Sequence, residues 1–239
     1  MSTVDVCTCR ESLHDRLESL SSFNRHVAHD LRGSLVTVSC AAEQARKALG
    51  RGDPSTASQL LAMLEIRANG LRQLVTELME LAEADAPVRR RPVDLNAVAS
   101  AALDEVRVGP HAIPHAVVRL DPLPMVHGSA TLLQQVFVNL MGNAMKFSRN
   151  SDRPQVVIGE TLSRGRRSIC VQDNGIGFDH HLAGKLFQPF SRLHGAAYAG
   201  HGIGLSFVRR VVESHGGEVW AKPLEPHGAA FHFTLAGLE

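Results

Sequence analysis

Two leucine-rich runs at helical spacing, separated by the hexapeptide GRGDPS, constrain this chain more than any other feature. In the first, Leu13, Leu17, Leu20, Asn24, Val27, Leu31, Ser34, Val38, Ala42, Ala45 and Leu49 follow one another at gaps of four and three residues, the signature of a heptad seam. In the second, Leu60, Leu64, Leu71, Leu74, Leu78 and Leu81 keep matching gaps, broken by Arg67. Gly50, Gly52 and Pro54 stop one helix and start the next. Two long helices joined by so tight a turn make a hairpin that cannot bury its own stripe. The expected solution is a homodimer in which two hairpins form a four-helix bundle; the competing one folds the hairpin onto the second half of the same chain.

Residues 1–10 read as a disordered lead-in and 11–84 as the helical domain. The stretch ADAPVRRRPVD, with two prolines and three consecutive arginines, then reads as an interdomain linker over 85–93. From 94 to 239 helical and strand patterns mix. Helices are expected over 94–106 and 130–146, the latter capped by Ser129. Strands are expected over 116–120, 154–162, 167–171, 218–221 and 229–235, with a turn at Arg164 and Gly165. A further helix ends at Gly216 and Gly217. With no βαβ rhythm, the expected fold class is α+β: a helical hairpin followed by a sandwich whose helices cover one sheet face.

Composition excludes several functions. A net charge of +1 gives no general attraction to nucleic acid or anionic lipid. Apolar content of 44% and charged content of 21% are those of an ordinary globular protein. The four cysteines, Cys7, Cys9, Cys40 and Cys170, form no paired framework and are expected to be reduced. No apolar run spans a bilayer and the first ten residues lack a signal core, so neither membrane insertion nor export is expected, and the chain reads as cytoplasmic.

Three groups of residues carry chemistry. His29 lies at an outward position of the first seam beside Asp30, which presents an imidazole nitrogen for attack next to a carboxylate able to orient the other ring proton. The alternative is an idle surface histidine. Asn139 and Asn143 lie four apart on one helix face with Lys146 a turn further on, a set that suits a hard cation or, equally, hydrogen bonds to loops. Glycines at 175 and 177 and at 200, 202 and 204 let backbone approach a ligand, the second group just before a helix start that favours phosphate. No GxxxxGK[ST] is present, so this is not a P-loop protein.

The order HDLRGSL, QVFVNLMGNAMKFS, DNGIGF, LFQPF and GHGIGLSFVRRVVESHGG resembles, over residues 20–236, the five sequence boxes of bacterial two-component sensor histidine kinases. The final stretch, from SRLHGAAYAGHG onward, is most similar to phytochrome-type kinases. The resemblance implies a dimeric phosphoacceptor hairpin followed by an ATP-binding α/β sandwich of the kind shared with gyrase and Hsp90. It implies that His29 is phosphorylated from ATP with Asp30 assisting, that Asn143 ligates Mg²⁺ with Asn139 in support, and that Lys146 contacts the phosphates. Phe147 would pack near adenine and Asp173 would accept from the adenine amino group. Gly175 and Gly177 would admit the base; Phe187, Phe190 and Arg192 would belong to a lid. Gly202, Gly204 and Leu205 would form the phosphate-binding helix start. The implied partner is the receiver domain of a response regulator. Three positions depart from the family pattern: Gly33 where threonine or asparagine is usual, which implies weak phosphatase activity, Ser34 in place of proline, and His201 in place of threonine. Some twenty residues precede the kinase core, so a free-standing kinase that takes its signal from an upstream partner, or a fragment, is expected. The competing functions are a catalytically silent dimeric scaffold, a clamp-type ATPase, and a serine kinase sharing the ATP fold.

Overall fold

The turn between the first two helices follows from its residues. In this computed structural model, which describes residues 25, 27, 28, 31–83, 90–191, 193, 198 and 200–238, helix α1 (31–50) gives way to Gly52 at φ +75°, a left-handed position that glycine adopts without strain. The Asp53 carboxylate then accepts from the Thr56 amide at 3.0 Å, capping α2 (Pro54–Glu83). Pro54 falls at the first helical position, where its missing N–H goes unused. His29, Asp30 and the lead-in lie outside the described residues.

The chain divides into two compact units at Glu77 and Leu78. In the first, α2 buries Ala57 and Leu74 and half-buries Leu60, Leu64 and Leu71, as its heptad spacing requires. The expected seam of α1 needs correction beyond Val38. Buried residues are Ala41, Ala45 and Ala48, whereas Ala42 is exposed and Leu49 is 58% exposed. The seam read through Ala42 and Leu49 contains two consecutive gaps of four; strict alternation, as packing demands, leads to Ala41 and Ala48. Small alanines on this face let the two helices approach closely. A second apolar face remains on the outside of the hairpin, with Leu35 at 53% and Ile66 at 71% exposure.

In the second unit, β1 (Arg91–Asp94) pairs antiparallel with β3 (Met125–Gly128). Five further strands form one sheet: β2 (Val117–Leu120), β4 (Gln155–Ser163), β5 (Arg166–Asp173), β6 (Val219–Pro223) and β7 (Ala229–Phe233), in the order β2-β4-β5-β7-β6. All neighbours are antiparallel except β2 and β4. Asp94 caps α3 (Leu95–Val108) by accepting from the Asn96 amide, and the Ser129 hydroxyl caps α4 (Ala130–Ser148) by accepting from that of Leu132. Register places Ile158, Val171 and Phe231 side by side, and Ile169 beside Phe233, on the face covered by helices. There Leu133, Val136, Phe137, Leu140 and Met141 of α4 are fully buried, with the Phe137 ring edge-on to Phe233 at 5.8 Å. Each such side chain contributes about 1.5–3 kcal/mol by leaving water. The helices cover one sheet face, and the architecture is mixed helix and sheet.

Alternate residues of the same strands face the other way. Trp220 stacks on His232 there, rings 5.4 Å apart and 9° from parallel, with the Arg164 guanidinium 4.9 Å over the indole. Burial pushes the His232 imidazole down to about 4. At the helix side, α5 (Gly204–Ser214) ends against His215, which is fully buried. Its Nδ1–H donates to the Val211 carbonyl (2.7 Å) and its Nε2 accepts from the Ser129 amide (3.0 Å), so one neutral tautomer joins the end of α5 to the start of α4. Gly216, at φ +76°, turns the chain out of the helix as expected from its sequence.

Candidate nucleotide site

Helix α4 carries the asparagines and the lysine along one side, and three separate backbone segments pack against that side. At its middle, the Asn139 side-chain N–H donates to the Gln135 carbonyl at 2.9 Å, which turns Oδ1 toward the start of α5. There Gly204 approaches so closely that any Cβ would collide with that oxygen. Asn143, one turn on, is half-buried. At the C-terminal end the Lys146 ammonium lies 4.6 Å over the Phe147 ring, and a Cβ at Gly200 would fall 3.2 Å from it. The Phe147 ring in turn meets that of Tyr198, centroids 5.0 Å apart.

The first glycine loop is held where α4 ends. A Cβ on Gly175 would stand 2.5 Å from the Phe147 carbonyl, and one on Gly177, at φ +65°, 2.8 Å from that of Gly228. The Ile176 amide donates to the Phe147 carbonyl at 3.3 Å. Close approach of backbone to backbone thus requires glycine on both sides. Asp173 at the head of the loop is 3% exposed, and its carboxylate accepts from the Gly175 amide at 2.8 Å and from that of Ala229. Burial raises its carboxyl to about 6 despite those two hydrogen bonds. A carboxylate held near neutrality in an apolar setting is a directed acceptor for an N–H group.

The second glycine group prepares an anion site. Gly202, at φ +77°, accepts from the Phe190 amide at 2.9 Å and packs against Phe190 and Ser191. The chain then enters α5 with no side-chain cap, unlike α3 and α4. Its first amides therefore point out of the helix without an internal acceptor, at the positive end of the helix dipole. Ser206, which could have competed for them, donates instead to the Ile203 carbonyl at 2.7 Å.

The structure brings together Asn139, Lys146, Phe147, Asp173, Gly175, Gly177, Gly202 and Gly204, with Asn143 and Leu205 half-buried on α4 and α5. Phe187 is buried against Phe231. Arg192 lies outside the described residues, with His29 and Asp30. Sequence reading overlooked Tyr198, although a single tyrosine between the last two motifs was there to notice. For a metal ion, the described residues contain no cluster of three or more His, Cys, Asp or Glu. The Asn139 and Asn143 amide oxygens are hard neutral donors beside an amide-rich helix start. That set suits Mg²⁺, which takes the rest of its shell from water and phosphate oxygens.

Fold and site define an ATP-binding sandwich of a known class. Residues 128–237 match the family described as Histidine kinase-, DNA gyrase B-, and HSP90-like ATPase. The chain is 32% identical over 234 residues to the adaptive-response sensory-kinase SasA of Prochlorococcus marinus, covering 94% of this chain and 60% of that one. It is 40% identical over 116 residues to cyanobacterial phytochrome A of Nostoc sp., covering 48% and 15%. Histidine kinase ThkA, solved in complex with response regulator protein TrrA, shares the fold at a TM-score of 0.71 and 22% identity, over 98% of this chain and 67% of that one. These matches support a two-component sensor histidine kinase core in this chain. It spans less than two thirds of the length of either of those two curated relatives.

Proposed function

We propose that this chain phosphorylates itself on His29 from ATP and passes the phosphoryl group to an aspartate in the receiver domain of a response regulator. The observation that carries the reading is the site on α4 and its loops: a buried acceptor carboxylate at Asp173 and the Lys146 ammonium toward the C-terminal end of α4, and the uncapped start of α5 against Asn139 at its middle. Their spacing along one helix suits a nucleotide, base at the carboxylate and phosphates at the amides. In this reading residues 11–84 form the dimerisation and phosphoacceptor domain, 85–93 the linker and 94–239 the catalytic domain. The protein is a cytoplasmic homodimer that answers to an upstream sensor protein.

Asp173 reads the base by accepting from the adenine amino group, a choice that disfavours guanine, whose ring presents a carbonyl at that edge. Gly175 and Gly177 let the base reach the carboxylate, and Phe147 packs near it. The amides of Gly204 and Leu205 hold phosphate oxygens and Lys146 neutralises their charge. Asn143, with Asn139, would hold Mg²⁺, which supplies charge neutralisation at the phosphate oxygens when bound. Asp30 holds the imidazole tautomer that leaves one nitrogen of His29 free to attack the γ-phosphorus in line, and Arg192 closes over the phosphates.

The test is incubation with γ-labelled ATP and Mg²⁺ beside the His29→Gln variant. Label that is lost in acid, kept in base and absent from the variant is expected. Label of another stability, or label persisting in the variant, would move the phosphoacceptor elsewhere.

A further inference from the structure

Phe147 does not stand alone at the end of α4. Tyr198 lies tilted against it with ring centroids 5.0 Å apart and planes at 48°, and the Arg149 guanidinium lies 5.4 Å over the Tyr198 ring. Two residues further along, Gly200 closes on the Lys146 ammonium, which itself rests over Phe147. A single short segment thus touches both the ring and the cation that the nucleotide reading requires. The exposed surface there is aromatic and cationic together, a composition that suits a flat, electron-rich heterocycle with an anionic tail.

We propose that Tyr198 is a positioning residue of the nucleotide site, holding the Phe147 ring in the orientation that receives the base, with Arg149 backing it. The inference rests on the ATP-site reading above and deepens it. Phe147 has rotational freedom about its side-chain bonds at the end of a helix, and a ring contacted by both the Lys146 ammonium and Tyr198 loses that freedom before ligand arrives. Preorganisation of this kind strengthens binding without adding a contact to the ligand. Its mark is location: Tyr198 acts at the base, so its loss weakens every adenine nucleotide by the same factor, whatever its phosphate count. Lys146 acts at the phosphates, so its loss costs ATP more than AMP.

The experiment measures dissociation constants of ATP, ADP and AMP by calorimetry for the full chain and for Tyr198→Ala, Tyr198→Phe and Lys146→Gln. Tyr198→Ala is expected to weaken all three about five- to tenfold, the size of one aromatic pair, while Tyr198→Phe stays within about twofold. Tyr198→Ala that binds as well as the parent or better, or that loses ATP but not AMP, would overturn the proposal. A parent chain that binds none of the three would instead overturn the ATP-site reading, and this inference with it. Tyr198 is the chain's one tyrosine, so a measurement on the unaltered protein guards against a variant that fails to fold. Nitration by tetranitromethane should slow when saturating ADP is present, and an unchanged rate counts against the proposal.

Discussion

Asp173 carries two opposite demands. A carboxyl that titrates at about 6 in the fold and at 3.8 when exposed binds a proton that the unfolded chain has already released. The folded state is therefore least favoured above pH 6 and gains stability as pH falls toward 4, a difference on the order of 3 kcal/mol between the two limits. Nucleotide binding runs the other way, because only the carboxylate accepts from the adenine amino group, so ATP affinity should fall as pH drops through 6. Asp173→Asn separates the two effects. Its carbonyl still accepts from the Gly175 amide, which leaves an NH₂ group where the base expects an acceptor. We expect the unliganded variant to melt several degrees higher and to bind ATP about tenfold or more weaker, read by thermal melts and calorimetry. A variant that melts lower would show that the buried charge is better accommodated than its raised pKa implies.

At the scale of elements, Gly33 is a glycine inside α1, where the backbone gains nothing from it. No atom lies within 4 Å of a Cβ built there, and the Thr37 hydroxyl already donates to its carbonyl at 2.9 Å. Gly33→Thr should therefore fit and stabilise the helix by about 0.5 kcal/mol, since glycine is the poorer helix former. If the missing side chain is what limits dephosphorylation, the variant should also release phosphate faster from a phosphorylated receiver domain. An unchanged rate would remove Gly33 from the account. Long elements were legible because their signals repeat: heptad spacing, Ser129 as cap, Gly216 as stop. The four-residue strands β1 and β3 were not, since Arg91 and Pro92 read as linker and only pairing with His127 and Gly128 makes a strand of them. The shift of the seam to Ala41 and Ala48 was hidden because alanine carries little hydrophobic signal. Within the site, glycine motifs and the α4 polar face were readable, whereas the Phe147–Tyr198 contact joins residues far apart in the chain and leaves no local pattern.

For the molecule as a whole, the hairpin leaves apolar surface uncovered. Ala28, Leu31, Leu35 and Val36, with Cys40 beside them, line an open groove along α1, and Met63, Ile66 and Met79 are exposed on α2. A second copy of the chain is the occupant that the bundle reading requires. Leu35→Glu should then yield monomers in sedimentation while nucleotide binding persists, and a variant that stays dimeric would place the interface elsewhere. Among the described residues no helix is long and apolar enough to cross a membrane. The Trp220–His232 stack has an optical consequence. The chain has one tryptophan, 5% exposed, on the sheet face that the helices do not cover, against an imidazole that burial keeps neutral above pH 4. Its emission belongs to the folded sheet, whereas the lone tyrosine lies against Phe147, the ring that the proposed nucleotide site sets near the base. The molecule thus carries two separate natural chromophores, one for unfolding and, if the proposed site binds nucleotide, one for ligand.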